Sequence, residues 1–177
     1  MSYWQIYNLN RIRGYLDKDT CHNVVRALVL SRLDYGGCLL GGISKRDLGR
    51  LQRLQNKCAR LICQKPKWSF ATPLLNELHW LPVSKRIQYR ILVQTYKSLL
   101  TTLPQYISSL FQQQRTSYSL RSTSAPSYVI PKSRKQAGFK SFQSLAPRLW
   151  NKLPTSLRNC TSLDLFKNHL KTYLCNS

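Results

Sequence analysis

The stretch LNELHWLPVSKRIQYRILVQTYKSL, residues 75–99, constrains the fold of this chain more than any other segment. Apolar residues recur at intervals of three and four on both sides of Trp80, a spacing that is typical of amphipathic helices. Pro82 cannot continue a helix that precedes it, so the first helix must end before it. Ser84 follows as a candidate N-cap for the second helix. The segment therefore predicts a corner between two helices, with Trp80 largely buried and Pro82 enforcing the break.

Helical periodicity extends over most of the first 111 residues. The segment 3–16 has a loosely helical apolar spacing, formed by Trp4, Tyr7, Ile12, Tyr15 and Leu16. The segment DKDTCHNVVRALVLSRLDY follows, with Asp19 as a candidate N-cap. Its apolar residues share one side of a helix and are Val24, Val25, Leu28, Val29 and Leu33. Ser44 and Asp47 have the spacing of a capping box for a further helix, and residues 1–111 are predicted to form a helical bundle.

The composition of the chain changes at residue 112. Residues 112–140 are rich in Ser, Gln, Arg and Pro and predict an extended basic loop, in which SYVIP can form a short strand. Helical patterns return in residues 141–177, where the last helix carries the apolar positions Leu163, Phe166, Leu170 and Leu174. The predicted fold class is mainly α: a helical bundle, then an irregular basic segment, then short C-terminal helices.

The charge of the chain indicates an anionic partner. Lys and Arg number 28 against six acidic residues, which gives a net charge of +22 and a pI of about 10.3. Uncompensated charge of this size repels itself, so a negatively charged surface is expected to lie against it. Nucleic acid, RNA or DNA, is the leading candidate, and an anionic membrane surface is the alternative. No apolar run approaches the roughly 20 residues of a membrane span, and the N-terminus lacks a secretory pattern. We expect no membrane partner.

The six cysteines do not have the spacing of a zinc site. No CxxC pair occurs, and the three histidines are scattered along the sequence. We expect reduced, partly buried thiols and an intracellular protein, because disulfides are rare in reducing compartments.

The sequence lacks recognisable catalytic motifs. It has no GxxxxGK[ST] phosphate loop and no GxSxG elbow. Asp17 and Asp19 precede a helix and are expected to cap it, and Asp164 follows Thr161 with the spacing of a capping box. A two-metal polymerase or nuclease site needs clustered carboxylates. We therefore predict no catalytic residues, no metal, no cofactor and no small-molecule substrate, so the chain is not an enzyme by its own residues.

Two groups of basic residues are candidate nucleic-acid-binding sites. The first group lies within about 40° of one line on a helix and consists of Arg46, Arg50, Arg53, Lys57 and Arg60. No acidic residue follows Asp47 in this helix, so the line is predicted to have no acidic partner, although a solvated helix face is the alternative. The second group is Lys132, Arg134, Lys135 and Lys140, interleaved with Tyr118, Tyr128 and Phe139. Aromatic and cationic side chains together suit single-stranded nucleic acid, and a solvated loop is again the alternative. Trp80 and Trp150 are expected to be core anchors rather than base-stacking platforms.

The order of several segments resembles a known family. These segments are ALVLSRLDYGGCLL, LQRLQNKCARLI, TPLLNELHWLPVSKRIQYRILVQTYKSL, SLAPRLWNKLP and SLDLFKNHLKTYL. The series is similar to the region downstream of the reverse transcriptase core in jockey-like non-LTR (LINE-type) retrotransposons, over about residues 3–174. The family polyprotein joins an endonuclease to an RNA-directed DNA polymerase, and neither catalytic domain has a counterpart here.

The resemblance implies a detached C-terminal piece of such a transposable element. Its implied function is to bind template RNA or target DNA beside the polymerase core, in the nucleus. Two alternatives stay open: a structural helical module that packs against the polymerase core, and a non-functional retrotransposon remnant.

Overall fold

The computed structural model describes residues 2–100, 105–114 and 126–176, and these residues are mainly α-helical, as predicted. The α-helices are, in order, α1 (Ser2–Ile12), α2 (Lys18–Val25), α3 (Ser31–Asp34), α4 (Lys45–Ile62), α5 (Ala71–Glu77), α6 (Val83–Leu99), α7 (Gln105–Ser108), α8 (Gln136–Phe139), α9 (Phe142–Asn151), α10 (Thr155–Arg158) and α11 (Leu163–Asn176). The segment SYVIP, residues 127–131, does not form the predicted strand. Among the described residues it makes one isolated antiparallel bridge, between Tyr128 and Gln113.

The chain divides into two compact units. The N-terminal unit comprises Met1–Gly37 and Ile43–Arg86, and the C-terminal unit comprises Cys38–Gly42 and Ile87–Ser177. One boundary between the units lies inside helix α6, between Arg86 and Ile87. The composition instead predicts boundaries near residues 111 and 140.

The core of the N-terminal unit is built from α1, α2, α4 and the turn between α2 and α3. Ile6 and Leu9 are the buried side chains of α1. Four of the five residues whose spacing predicts this helix are exposed, namely Trp4, Tyr7, Ile12 and Tyr15. The helix also ends at Ile12, and a 3₁₀ turn follows at Arg13–Tyr15.

Helix α2 has its N-cap two residues earlier than predicted. Asp17, not Asp19, is the N-cap, and its carboxylate accepts a hydrogen bond from the Thr20 N–H at 2.9 Å. Residues Arg26–Leu30 form a π-helical turn between α2 and α3. This turn widens the helix and brings two successive residues, Val29 and Leu30, into the core.

The widened turn also changes which apolar residues are buried. Val25 and Leu33 lie in the core as predicted, whereas Leu28, predicted on the same side, is 42% exposed. A purely α-helical spacing does not take account of the extra residue in the turn.

The predicted corner is present, but Trp80 is only partly buried. The helix before it, α5, ends at Glu77, and His79 has a left-handed φ of 52°. The indole Nε1 donates a hydrogen bond to His22 Nε2 at 3.2 Å, and the two rings stack with centroids 5.6 Å apart. The next helix begins at Val83, so Ser84 lies in its first turn and is not the N-cap.

Two glutamines of α4 fix the backbone of this corner. Gln55, which is fully buried, donates from Nε2 to the Leu81 carbonyl at 2.9 Å. The side-chain oxygen of Gln52 accepts from the Val83 N–H at 2.8 Å. The corner therefore satisfies its backbone groups through side chains of a third helix.

The C-terminal unit has an aromatic core. Trp150 is fully buried, which confirms the prediction that it is a core anchor. Its ring centroid lies 6.3 Å from Tyr96, 6.1 Å from Tyr128 and 5.9 Å from Phe166, and its Nε1 donates to the Pro126 carbonyl at 3.0 Å. These contacts connect α6, α9 and α11 with the segment around Tyr128.

The last helix, α11, buries three of its four predicted apolar positions, Phe166, Leu170 and Leu174, whereas Leu163 is only partly buried. Its first N–H groups are capped by Ser162 rather than by Thr161: the Ser162 hydroxyl accepts from the Leu165 N–H at 3.3 Å. Asp164 pairs with Lys167 instead of completing a capping box.

Candidate nucleic-acid interface

The first basic group lies on α4, as the sequence predicts. Ser44 is the N-cap of this helix, and its hydroxyl accepts a hydrogen bond from the Asp47 N–H at 3.1 Å. The opposite side of the helix packs Leu54, Cys58 and Ile62 into the core. The helix thus holds the α4 cationic stripe, defined as Arg46, Arg50, Arg53, Lys57 and Arg60, on the side away from the core.

The first three members of the α4 cationic stripe are exposed arginines, Arg46, Arg50 and Arg53. The prediction that the stripe has no acidic partner is wrong, because Arg50 Nη1 lies 3.4 Å from Asp47 Oδ1. Both side chains of this pair are more than half exposed, and helix-surface pairs of this spacing contribute only about 0.2–0.5 kcal/mol. A phosphate can therefore compete with Asp47 for Arg50.

The last two members of the stripe are engaged within the unit. Lys57 is exposed, and its Nζ lies 4.6 Å from the centroid of the Tyr3 ring. Arg60 is partly buried and donates from Nε to the Ser69 carbonyl at 2.9 Å. Arg60 therefore holds the loop after α4 in place, while the three arginines before it face solvent.

The second basic group consists of exposed cations without the predicted aromatic platform. Lys132, Arg134, Lys135 and Lys140 are all exposed, the first three before the short helix α8 and Lys140 directly after it. Tyr128, however, is buried in the core, and its backbone N–H and carbonyl both bond to the Asn151 side chain at 3.0 and 2.8 Å. Burial raises the pKa of the Tyr128 phenol.

The remaining aromatic residues of this group also differ from expectation. Phe139 is half exposed, and the Arg148 guanidinium carbon lies 3.3 Å from its ring centroid. Tyr118 lies outside the described residues. Among the described positions, the second group therefore offers charge to an anionic partner but no open pair of rings.

Arg13 is a structural cation that the sequence pattern does not reveal. It is buried, and its guanidinium donates to the carbonyls of Leu61 at 2.9 Å, Ile62 at 2.8 Å and Leu16 at 2.5 Å. A positive charge at the C-terminal carbonyls of α4 is favourable because these groups lack partners inside the helix. Arg13 thus joins the end of α1 to the end of α4.

The cysteines are free thiols in the structure. Cys21 and Cys58 are fully buried, and burial raises the pKa of Cys58 to about 12, so this thiol is protonated at neutral pH. Over residues 2–100, 105–114 and 126–176, no three His, Cys, Asp or Glu side chains lie close enough together to hold a metal ion. In the same residues, no helix combines the length and apolar character needed to cross a membrane.

Comparisons with models of protein families, with curated proteins and with solved structures found no match to this chain. The resemblance to the retrotransposon region depends on the five sequence segments quoted above.

Proposed function

We propose that this chain binds RNA or DNA through phosphate contacts along the α4 cationic stripe. The observation that carries the proposal is the row of exposed arginines Arg46, Arg50 and Arg53 on one helix face, in a chain of net charge +22. The resemblance of the ordered segments supports a more specific role, that of the accessory C-terminal region of a retrotransposon reverse transcriptase. In that role the chain holds template RNA or target DNA beside the polymerase core and has no active site of its own.

The stripe has a suitable length for several phosphates. Arg46 and Arg53 are seven residues apart, which is about 10 Å along a helix that rises 1.5 Å per residue. This distance corresponds to roughly three base-pair steps of 3.4 Å along the axis of a DNA duplex. Each guanidinium can donate two parallel hydrogen bonds to a phosphate. Contacts of this kind position the protein without reading bases, so we expect weak sequence preference.

The salt dependence of binding tests the proposal. In the variant R46Q/R50Q/R53Q, the slope of log affinity against log salt concentration should flatten by up to about 2.7 units on duplex DNA. Glutamine is nearly as good a helix former as arginine, so the helix content measured by circular dichroism should not change. Fluorescence anisotropy with labelled RNA and DNA at several salt concentrations measures the slope.

A matched control removes the same charge elsewhere. Arg11, Arg26 and Arg32 are exposed arginines of the same unit that lie outside α4. The variant R11Q/R26Q/R32Q should retain most of the parent slope. If both triple variants flatten the slope equally, binding is diffuse and the stripe has no special role. If neither does, the stripe is a solvated face, and Lys132, Arg134, Lys135 and Lys140 become the better candidates.

A second candidate function is a structural module that packs against the polymerase core. The observation that favours it is the exposure of large apolar side chains on the loop after α4, where Trp68 is 77% and Phe70 is 87% exposed. Such residues are typical of protein-binding surfaces when they form a patch. In that case the basic surface is merely solvated, and R46Q/R50Q/R53Q should leave the salt dependence of any nucleic-acid binding unchanged.

A further inference from the structure

The N-terminal unit contains a groove of about 760 Å³ beside the end of the α4 cationic stripe. We call it the α1–α4 groove. Its apolar wall includes the rings of Tyr3 and Tyr7 from α1, and its cationic residues include Lys57 from α4 and Lys65 and Lys67 from the following loop. The groove therefore brings tyrosines and lysines together that lie at least 50 residues apart in the sequence.

The two tyrosine rings are accessible and adjacent. Tyr3 is 50% and Tyr7 is 64% exposed, although both lie on a helix whose other side is packed into the core. Their i, i+4 spacing places them next to each other on one helix face, with Cβ atoms about 5–6 Å apart. Aromatic rings in such a position can each stack on a base, since every base has a π-face.

The charge of the groove favours an anion. No acidic side chain is among the described residues that line it. A neighbouring, smaller groove of about 460 Å³ differs in this respect, because Asp17 and Glu77 are among its lining residues and would repel a phosphate. Charge and rings thus coincide in one groove and not in the other.

The loop beside the groove is held by the stripe itself. Arg60 donates to the Ser69 carbonyl, and this contact fixes the segment that carries Lys65 and Lys67. Lys57 faces the Tyr3 ring, and two members of the stripe, Lys57 and Arg60, are among the residues that line the groove.

We propose that the α1–α4 groove binds a short unpaired stretch of RNA or DNA, with bases stacked on Tyr3 and Tyr7 and phosphates contacted by Lys57, Lys65 and Lys67. This inference rests on the proposed nucleic-acid binding and makes it more specific. In a duplex the base faces are already stacked on each other, so the tyrosines favour single strands. The stripe, which contacts phosphates, accepts both forms.

Binding of a single strand and of a duplex by the full chain separates the two contributions. The probes are a labelled oligouridine of about 12 nucleotides and a duplex of the same length, measured by fluorescence anisotropy at fixed salt concentration. The variant Y3A/Y7A should lose about tenfold or more in affinity for the single strand and less than about twofold for the duplex. Alanine is the better helix former, so α1 should remain helical.

Two further variants serve as controls. Y3F/Y7F keeps both rings and should bind the single strand like the parent. Y35A removes a tyrosine that is 88% exposed in the same unit but does not line the groove, and it should also leave the affinity unchanged. A photo-crosslink from 5-iodouracil in the single strand should appear on the tryptic peptide that ends at Arg11 and contains both groove tyrosines.

The possible results are distinguishable. If the parent binds neither probe, the proposed function itself fails. If the parent binds both with a steep salt dependence but Y3A/Y7A loses nothing on the single strand, only the groove inference is overturned. If an acidic peptide such as oligoglutamate displaces the single strand more effectively than unlabelled oligouridine does, the groove binds a protein segment and the inference is also overturned.

Discussion

Replacement of Trp150 by alanine should destabilise the C-terminal unit severely. The side chain is fully buried, contacts three other aromatic rings and donates a hydrogen bond to the Pro126 carbonyl. Truncation of a buried aromatic residue to alanine costs about 3–5 kcal/mol, and loss of the part-buried hydrogen bond to Pro126 adds about 0.5–1.5 kcal/mol. The sum of roughly 3.5–6.5 kcal/mol is comparable with the whole stability of a typical domain, about 5–15 kcal/mol.

Two other substitutions separate the terms of this estimate. Trp150→Phe keeps an aromatic ring in the core but removes the N–H and part of the indole ring system, so it should lower the free energy of unfolding by about 1–3 kcal/mol. Trp68→Ala removes a tryptophan that is 77% exposed and should change the free energy of unfolding by less than about 0.5 kcal/mol.

Urea denaturation followed by far-UV and near-UV circular dichroism provides the measurement. The two signals should be compared, because a chain of two compact units need not unfold in one transition. The reasoning is refuted if Trp150→Ala lowers the free energy of unfolding by less than about 1 kcal/mol, or if Trp68→Ala has an equal effect.

Two predictions concern the N-terminal unit. Trp80→Ala should lower the free energy of unfolding by about 1–3 kcal/mol, less than Trp150→Ala, because Trp80 is only partly buried. Urea denaturation measures this loss. A variant that fails to fold would contradict the prediction and show that the corner depends on Trp80 more than its exposure indicates. Stability should fall as the pH rises above about 9, because the unfolded Cys58 thiol, with a pKa near 9.0, then ionises while the folded thiol, with a pKa of about 12, keeps its proton. The slope of the unfolding free energy against pH should approach −1.4 kcal/mol per pH unit. Cys58→Ala should remove this contribution in thermal unfolding measured between pH 8 and 10. An unchanged slope in that variant would contradict the prediction.

The sequence predicted most accurately those elements whose signals are local. Helix α4 begins at the predicted cap Ser44, and α11 buries Phe166, Leu170 and Leu174 as its apolar spacing indicates. Trp150 was correctly assigned to the core because it precedes a proline in an apolar helix. In each case the residues that determine the structure lie within a few positions of one another.

The failures involve partners that are distant in sequence. Trp80 bonds to His22, which is 58 residues away, and Arg13 reaches the carbonyls of Leu61 and Ile62, 48 and 49 residues away. Neither contact leaves a pattern within one helix. Competition between similar residues caused another error, since Asp17 and Asp19 are both good N-caps and only the start of the helix decides between them.

The candidate site was predictable in charge but not in shape. The spacing on α4 located the exposed arginines, whereas the engagement of Arg60 with Ser69 depends on how the following loop returns. The α1–α4 groove was not foreseen, because its lining residues come from α1, α4 and the loop after α4, which the sequence does not place next to one another. A count of apolar residues cannot distinguish a tyrosine that packs from one that faces solvent, and only Ile6 and Leu9 proved to be buried.

The π-helical turn at Arg26–Leu30 gives the chain a position where its length can change at little cost. Such a turn contains one residue more than an α-helical segment of the same axial length. Deletion of Ala27, which is exposed, would let the segment close as a continuous α-helix while α2 and α3 keep their faces toward the core. A deletion in the middle of α4 would instead rotate all later residues of that helix by about 100° and turn its apolar side toward solvent. The π-helical turn should therefore tolerate insertions and deletions better than α4. Length differences among related chains should occur in the turn rather than in α4.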